Sequence, residues 1–117
     1  PGLARSLFIN ADRGTWGASR VVSLGARGDS FYEYMLKQWL QTNRTDGAHL
    51  DDFLAAVVAV EARLVRRTAG PERHAFVGEL IDDRFEAKMD HLCCFLPGAL
   101  ALYATHTPCV PLDSLPW

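Results

Sequence analysis

Gly25-Ala26-Arg27-Gly28-Asp29-Ser30-Phe31-Tyr32-Glu33-Tyr34-Met35-Leu36-Lys37-Gln38-Trp39-Leu40 places an acid-bearing glycine loop directly onto the first turn of an aromatic-rich helix. Tyr32, Met35, Leu36, Trp39 and Leu40 recur at helical intervals, so one face of this helix is built for burial. Ser30 and Glu33 have capping-box spacing, which predicts a start near Ser30 and an end in the polar Thr42 to Gly47 loop. Asp29 then falls where an N-cap acid would sit.

Downstream, Leu50, Phe53, Leu54, Val57, Val58, Leu64 and Val65 follow the i, i+3, i+4, i+7 pattern of a second helix. Asp51 and Asp52 at its start and Arg63, Arg66 and Arg67 at its end complement the helix dipole, and Gly70-Pro71 stops it. A second informative run, Lys88-Met89-Asp90-His91-Leu92-Cys93-Cys94-Phe95-Leu96-Pro97-Gly98-Ala99-Leu100-Ala101-Leu102, puts an acid and an imidazole at the mouth of a third, very apolar helix beginning near Asp90. Between these helices, Ala75 to Leu80 and Arg84 to Lys88 read as short extended pieces around an Ile81-Asp82-Asp83 turn. Upstream, Leu7-Phe8-Ile9 and Val21-Val22-Ser23-Leu24 read as a hairpin or a pair of extended segments across a polar connection from Asn10 to Arg20. Prolines at 108, 111 and 116 break regular structure beyond Thr105.

Three helices with short β excursions at their connections predict an all-α fold. The helix from Leu92 to Tyr103 is apolar nearly all the way round, which signals burial on every side, yet the chain offers only two other helices to cover it. Residues 1–117 are therefore expected to be an internal fragment of one larger domain, with no complete domain boundary inside.

Composition narrows the function classes. Twelve basic and fourteen acidic residues give a formal charge of -2, and the basic residues are scattered, so the phosphate-neutralising surface that nucleic acid requires is missing. No apolar stretch approaches the roughly 18 to 20 residues of a membrane span, and the basic-then-apolar order of a signal peptide is absent. Cys93, Cys94 and Cys109 lack Cys-x-x-Cys spacing, and the histidines lack ligand spacing such as His-Glu-x-x-His, so no metal ligand is assigned. No Gly-x-Ser-x-Gly, P-loop or dinucleotide fingerprint occurs.

Chemistry concentrates at the two helix entrances. Arg27, held in a tight loop between small residues, carries forked donors suited to hydroxyl-rich or anionic groups. Asp29, Ser30 and Glu33 each have a structural reading as helix-terminus residues, as do Asp90 and His91. Phe31, Tyr32, Tyr34 and Trp39 could stack on carbohydrate, but their helical spacing favours core packing for Tyr32 and Trp39.

Together, the Gly25 to Leu40 and Lys88 to Gly98 runs resemble glycoside hydrolase family 47, the class I α-1,2-mannosidases. Phe8-Ile9-Asn10 and Phe76-Val77-Gly78-Glu79-Leu80 extend the resemblance from about Phe8 to Leu102. Within the family, the Leu-Gly-Ala-Arg-Gly-Asp-Ser form and the Met-Asp-His-Leu-x-Cys-Phe-Leu-Pro-Gly form look most like the endoplasmic reticulum members. Golgi members usually lack the arginine at the Arg27 position, which is associated with the choice of mannose branch.

The resemblance implies an (α/α)7 barrel with hairpins at one end. It also implies inverting removal of α-1,2-linked mannose from high-mannose N-glycans on glycoproteins, in the lumen of the endoplasmic reticulum or early secretory pathway. A membrane link would come only through a type II anchor of the parent, outside this chain. Asp29 matches an essential family acid and is expected to be a catalytic carboxylate. Arg27, Glu33 and His91 are expected to bind substrate or line its pocket. Ca2+ is the implied cofactor, held mainly by a threonine that this chain lacks. The family's other catalytic acids, two glutamates, lie upstream and downstream of these motifs, so the isolated chain is expected to be inactive. Cys94 matches a family cysteine whose disulfide partner is also downstream. Cys93 replaces a more usual small apolar residue, and the sequence departs from the family after Tyr103. Rival readings are a mannosidase-like lectin or degradation-enhancing factor that binds misfolded glycoproteins, an inactive truncated product, and a stand-alone helical interaction module.

Overall fold

In the computed structural model, described for residues 3–4, 7–10, 15–18 and 20–107, the first helical pattern becomes α1, Asp29–Gln41. The face marked by periodicity is the buried one: Tyr32, Leu36 and Trp39 are in the core, and Leu36 has no exposed surface. Burial of a leucine to this degree contributes about 1.5–3 kcal/mol relative to exposure. The second pattern becomes α2, Gly47–Leu64, with Phe53, Ala56, Val57, Val60 and Leu64 buried. Asp46 caps it, its side chain accepting from the Ala48 N–H at 3.2 Å. The third helix, α3, runs from Phe95 to His106 and packs on α1. Its start is later than expected because His91–Cys94 form a 3-10 turn first, capped by Asp90.

The all-α expectation is overturned, because the described residues form three helices and three antiparallel sheets. A hairpin joins β1 (Leu7–Asn10) to β2 (Thr15–Ala18). The hairpin reading had instead paired the first segment with Val21 to Leu24 and left β2 inside a polar connection. β3, Val21–Val22, pairs with β6, Glu79–Ile81, which also pairs with β7, Arg84–Glu86. The third sheet joins β4, Val65–Arg67, to β5, Ala75–Val77. Here the apolar periodicity misled: Val65 continues the helical pattern of α2, but the chain leaves the helix after Leu64 and Gly70-Pro71 sits in a hairpin connection instead of a helix stop.

Two local devices shape the sheets. Asp82 and Asp83 both adopt positive φ, 50° and 64°, as the two central residues of a tight hairpin require. Gly78 separates β5 from β6 and lets the chain pass from one sheet to another. Its N–H donates to the Leu64 carbonyl at 2.9 Å, and an added Cβ would lie 2.4 Å from Phe85 Cζ and 2.6 Å from the Glu86 carbonyl oxygen. No side chain but hydrogen fits there.

One core joins the layers: Val22 and Leu24 before α1, Leu80 from β6, Cys93 and Leu96 at the third helix entrance, and the inner faces of all three helices. Every buried side-chain nitrogen and oxygen among the described residues has a partner. No helix among them is long and apolar enough to cross a membrane. Cys109 and the prolines at 108, 111 and 116 lie outside the described residues.

Candidate active site at two helix entrances

The glycine loop and the third helix entrance, distant in sequence, meet at one carboxylate. Asp90 accepts from the Leu92 N–H at 2.9 Å, capping its own turn, and its side chain lies against the glycine loop at Gly25. The approach is so close that a Cβ on Gly25 would lie 2.6 Å from Asp90 Cβ, Cγ and Oδ2. Gly25 is thus required by contact, and the pair locks the two entrances together. The Leu92 and Ala26 N–H groups hold the Asp90 carboxyl below the usual carboxylate range, against partial desolvation that pushes it up.

From this junction the loop turns sharply into α1. The Gly28 and Asp29 N–H groups both donate to the Gly25 carbonyl at 3.0 Å. Gly28 is the N-cap residue and provides no side-chain cap, so the expected Ser30 to Glu33 capping box does not form and Asp29 is the first helical residue. There the half-buried Asp29 faces the positive end of the helix dipole, a favourable place for a carboxylate. Arg27 is exposed and holds φ of 74°, a left-handed conformation that disfavours side chains by about 1–2 kcal/mol. Arg44 and Arg73 do the same in other turns. The backbone conformation therefore does not single out Arg27; its place two residues before Asp29 does.

Glu33 lies one turn after Asp29, on the same side of α1. Its carboxylate is engaged by Lys37 at 2.6 Å, which pushes the lysine's pKa up through that hydrogen bond. His91 stands on the junction from the other side, its side chain 90% exposed and its Nδ1 3.6 Å from Asp90 Oδ1. The structure thus carries Arg27, Asp29 and His91 on two chain segments clamped to each other, with Glu33 one turn further on.

A second carboxylate, not singled out by sequence reasoning, supports the loop from within. Glu79 is buried on β6. It accepts from the Ser23 hydroxyl at 2.8 Å and from Lys88 Nζ at 3.3 Å. The signal was available: Glu79 is the one charged residue in the run from Phe76 to Ile81.

An apolar groove of about 440 Å³ lies elsewhere, between β5 and α3, and is lined by Phe76, Val77, Met89, Leu96 and Leu100 among others. It contains none of the candidate site residues. Cys93 is a buried free thiol and Cys94 an exposed one; burial pushes the Cys93 thiol up. No three His, Cys, Asp or Glu side chains among the described residues converge to hold a metal ion.

The family model of Glycosyl hydrolase family 47 matches residues 1–109. The chain belongs to glycosyl hydrolase family 47. Family 47 relatives include the rat (Rattus norvegicus) endoplasmic reticulum mannosyl-oligosaccharide 1,2-alpha-mannosidase, 48% identical over 86% of this chain and 15% of the relative. Mannosyl-oligosaccharide alpha-1,2-mannosidase IA of Drosophila melanogaster is 45% identical over 83% of this chain and 14% of its own length. Mannosyl-oligosaccharide 1,2-alpha-mannosidase of Candida albicans is 42% identical over 85% and 18%. The chain thus spans about a seventh of the length of the first two relatives and under a fifth of the third.

Proposed function

We propose that these residues are an internal segment of a glycosidase that removes α-1,2-linked mannose from high-mannose N-glycans with inversion. The observation that carries the reading is the family match over residues 1–109, with Asp90 packed against Gly25 joining its two polar motifs. It gives one family-47 segment a carboxylate (Asp29), a guanidinium (Arg27) and an imidazole (His91) around a single fixed turn. The rat and human relatives, named for the endoplasmic reticulum, favour that compartment or the early secretory pathway. Any type II membrane anchor would lie outside this chain.

Inverting hydrolysis needs two carboxyl groups about 6.5–9.5 Å apart, one protonating the leaving oxygen and one activating water on the opposite face. Asp29 supplies one carboxylate from this segment, and its partners come from other parts of the parent. Arg27 donates to sugar hydroxyls beside it. His91 contributes a ring that can donate or accept at the rim, and Glu33 supports the pocket wall through Lys37. Calcium is proposed for the whole protein, with its oxygen ligands supplied from elsewhere. Cys94, exposed at the third helix entrance, is the cysteine proposed to form a disulfide beyond this segment.

The test is mannose release from a high-mannose oligosaccharide by the full-length protein that carries this chain. Asp29→Asn should lower kcat by about 10²–10⁴-fold, and the isolated chain should release no mannose with or without calcium. Full activity in Asp29→Asn would remove Asp29 from the chemistry. Binding of the oligosaccharide with no turnover by the wild-type protein would favour the lectin reading.

A further inference from the structure

We infer that Ser23 and Glu79 form a positioning relay that sets the Arg27 to Asp29 turn, a reading that rests on the proposed glycosidase function. The connection is continuous. Glu79 Oε1 accepts from the Ser23 hydroxyl at 2.8 Å. Ser23 Oγ in turn accepts from the Gly25 N–H at 2.7 Å. The Gly25 carbonyl accepts from the Gly28 and Asp29 N–H groups at 3.0 Å each. A buried carboxylate on β6 is thereby linked through one hydroxyl and one peptide to the backbone of the candidate catalytic acid.

The relay is built to be stiff. Glu79's side chain is 7% exposed whereas Lys88's is 70% exposed, so the charge partner sits at the surface and the anion is held inside. Both oxygens of Glu79 are used, one on Ser23 and one on Lys88. A buried carboxylate with both oxygens engaged has little freedom to turn, and it fixes the direction of the Ser23 hydroxyl. The Ser23 oxygen then fixes the Gly25 peptide from its N–H side, while the Asp90 side chain packs against Gly25 itself. The Gly25 position is thus held on its N–H side by Ser23, just after β3, and packed by Asp90 from the third helix entrance. Glu79 needs no contact with substrate to act in this way; its effect passes through Ser23 and the loop backbone.

Ser23→Ala cuts the relay at its half-buried middle link, outside the hydrophobic core, and Ser23→Thr keeps the hydroxyl. In the full-length protein, Ser23→Ala should lower kcat about tenfold, the equivalent of one net hydrogen bond in positioning, with KM changed less. Ser23→Thr should restore most of the loss. Hydrogen exchange should quicken at the Gly25 to Asp29 amides in Ser23→Ala and stay unchanged in α2. Lys88→Ala, which frees one Glu79 oxygen but leaves the Ser23 bond in place, should quicken exchange at these amides less than Ser23→Ala does. Wild-type kcat in Ser23→Ala, or unchanged exchange at Gly25 to Asp29, would overturn the relay. If the wild-type protein hydrolyses no mannoside, the glycosidase reading falls, and the exchange arm still decides whether Ser23 sets the turn.

Discussion

Replacing Gly78 by alanine tests the close approach that lets the chain pass from β5 in one sheet to β6 in another. Its backbone is outside the left-handed region, so the penalty is one of space alone. The new Cβ would lie 2.4 and 2.5 Å from Phe85 Cζ and Cε2 and 2.6 Å from the Glu86 carbonyl oxygen. Ordinary contacts between such atoms are about 3.5–4.0 Å, so a displacement of about 1 Å is needed. The Phe85 ring has limited room to yield. It packs edge-on to Phe76 at 6.2 Å between centroids and lies under the Arg66 guanidinium at 4.6 Å. The Glu86 oxygen has less, because Glu86 pairs with Glu79 in the β6–β7 ladder. Overpacking of this kind costs about 2 kcal/mol, which in local opening equals about a thirtyfold faster amide exchange. The assay is hydrogen–deuterium exchange with mass spectrometry on peptides covering Glu79 to Glu86, in the full-length protein. Gly70→Ala is the matched control, since nothing lies within 4 Å of its added Cβ. Exchange of the Gly78→Ala hairpin within about threefold of wild type would refute the argument that this glycine is required by contact.

Leu36→Ala should destabilise by about 2–5 kcal/mol, because the side chain is wholly enclosed and its removal leaves a cavity; denaturant unfolding followed by tryptophan fluorescence measures it. The Asp90 clamp should be pH-dependent. Its folded pKa is depressed, so its contribution is present above the ordinary carboxylate pKa of about 3.9 and disappears as pH falls through the lower folded value. The Ala26 and Leu92 amide resonances should report that transition in the acid range, and Asp90→Asn should abolish it. Under reducing conditions iodoacetamide should label exposed Cys94 well before buried Cys93, as read by peptide mass; equal rates would place both thiols at the surface.

Helices were legible in the sequence because their burial is periodic: Tyr32, Leu36 and Trp39, then Phe53, Val57 and Leu64, lie on the faces the spacing marks, whereas Val58 of the same pattern is exposed and Val60, outside it, is buried. Strands were legible only in part. The Asp82-Asp83 turn announced β6 and β7, whereas β4 was hidden because Val65 fits the helical period of α2 as well as it fits a strand. The pairing of β3 with β6 is a tertiary choice that no local pattern encodes. At the site, Asp29 and His91 stood out by motif. The capping box at Ser30 and Glu33 was misread because the turn from Gly25 to Gly28 closes through backbone bonds and leaves the cap to glycine. Asp90 was legible as a helix cap but not as a clamp, since the Gly25 it packs against lies in the distant loop.

The dependence of the glycine loop on distant carboxylates also sets an order of events during synthesis. Ser23 must wait for Glu79, 56 positions later, and Gly25 must wait for Asp90, further on still. At about 5–20 residues per second the ribosome needs about 3–11 s to bridge the first of these gaps. Throughout that interval α1 can coil, but the turn that aims Arg27 and Asp29 has neither of its distant braces. The nascent chain therefore emerges with its acid-bearing loop unset, and the loop acquires its shape only when the strand and helix entrance encoded downstream arrive.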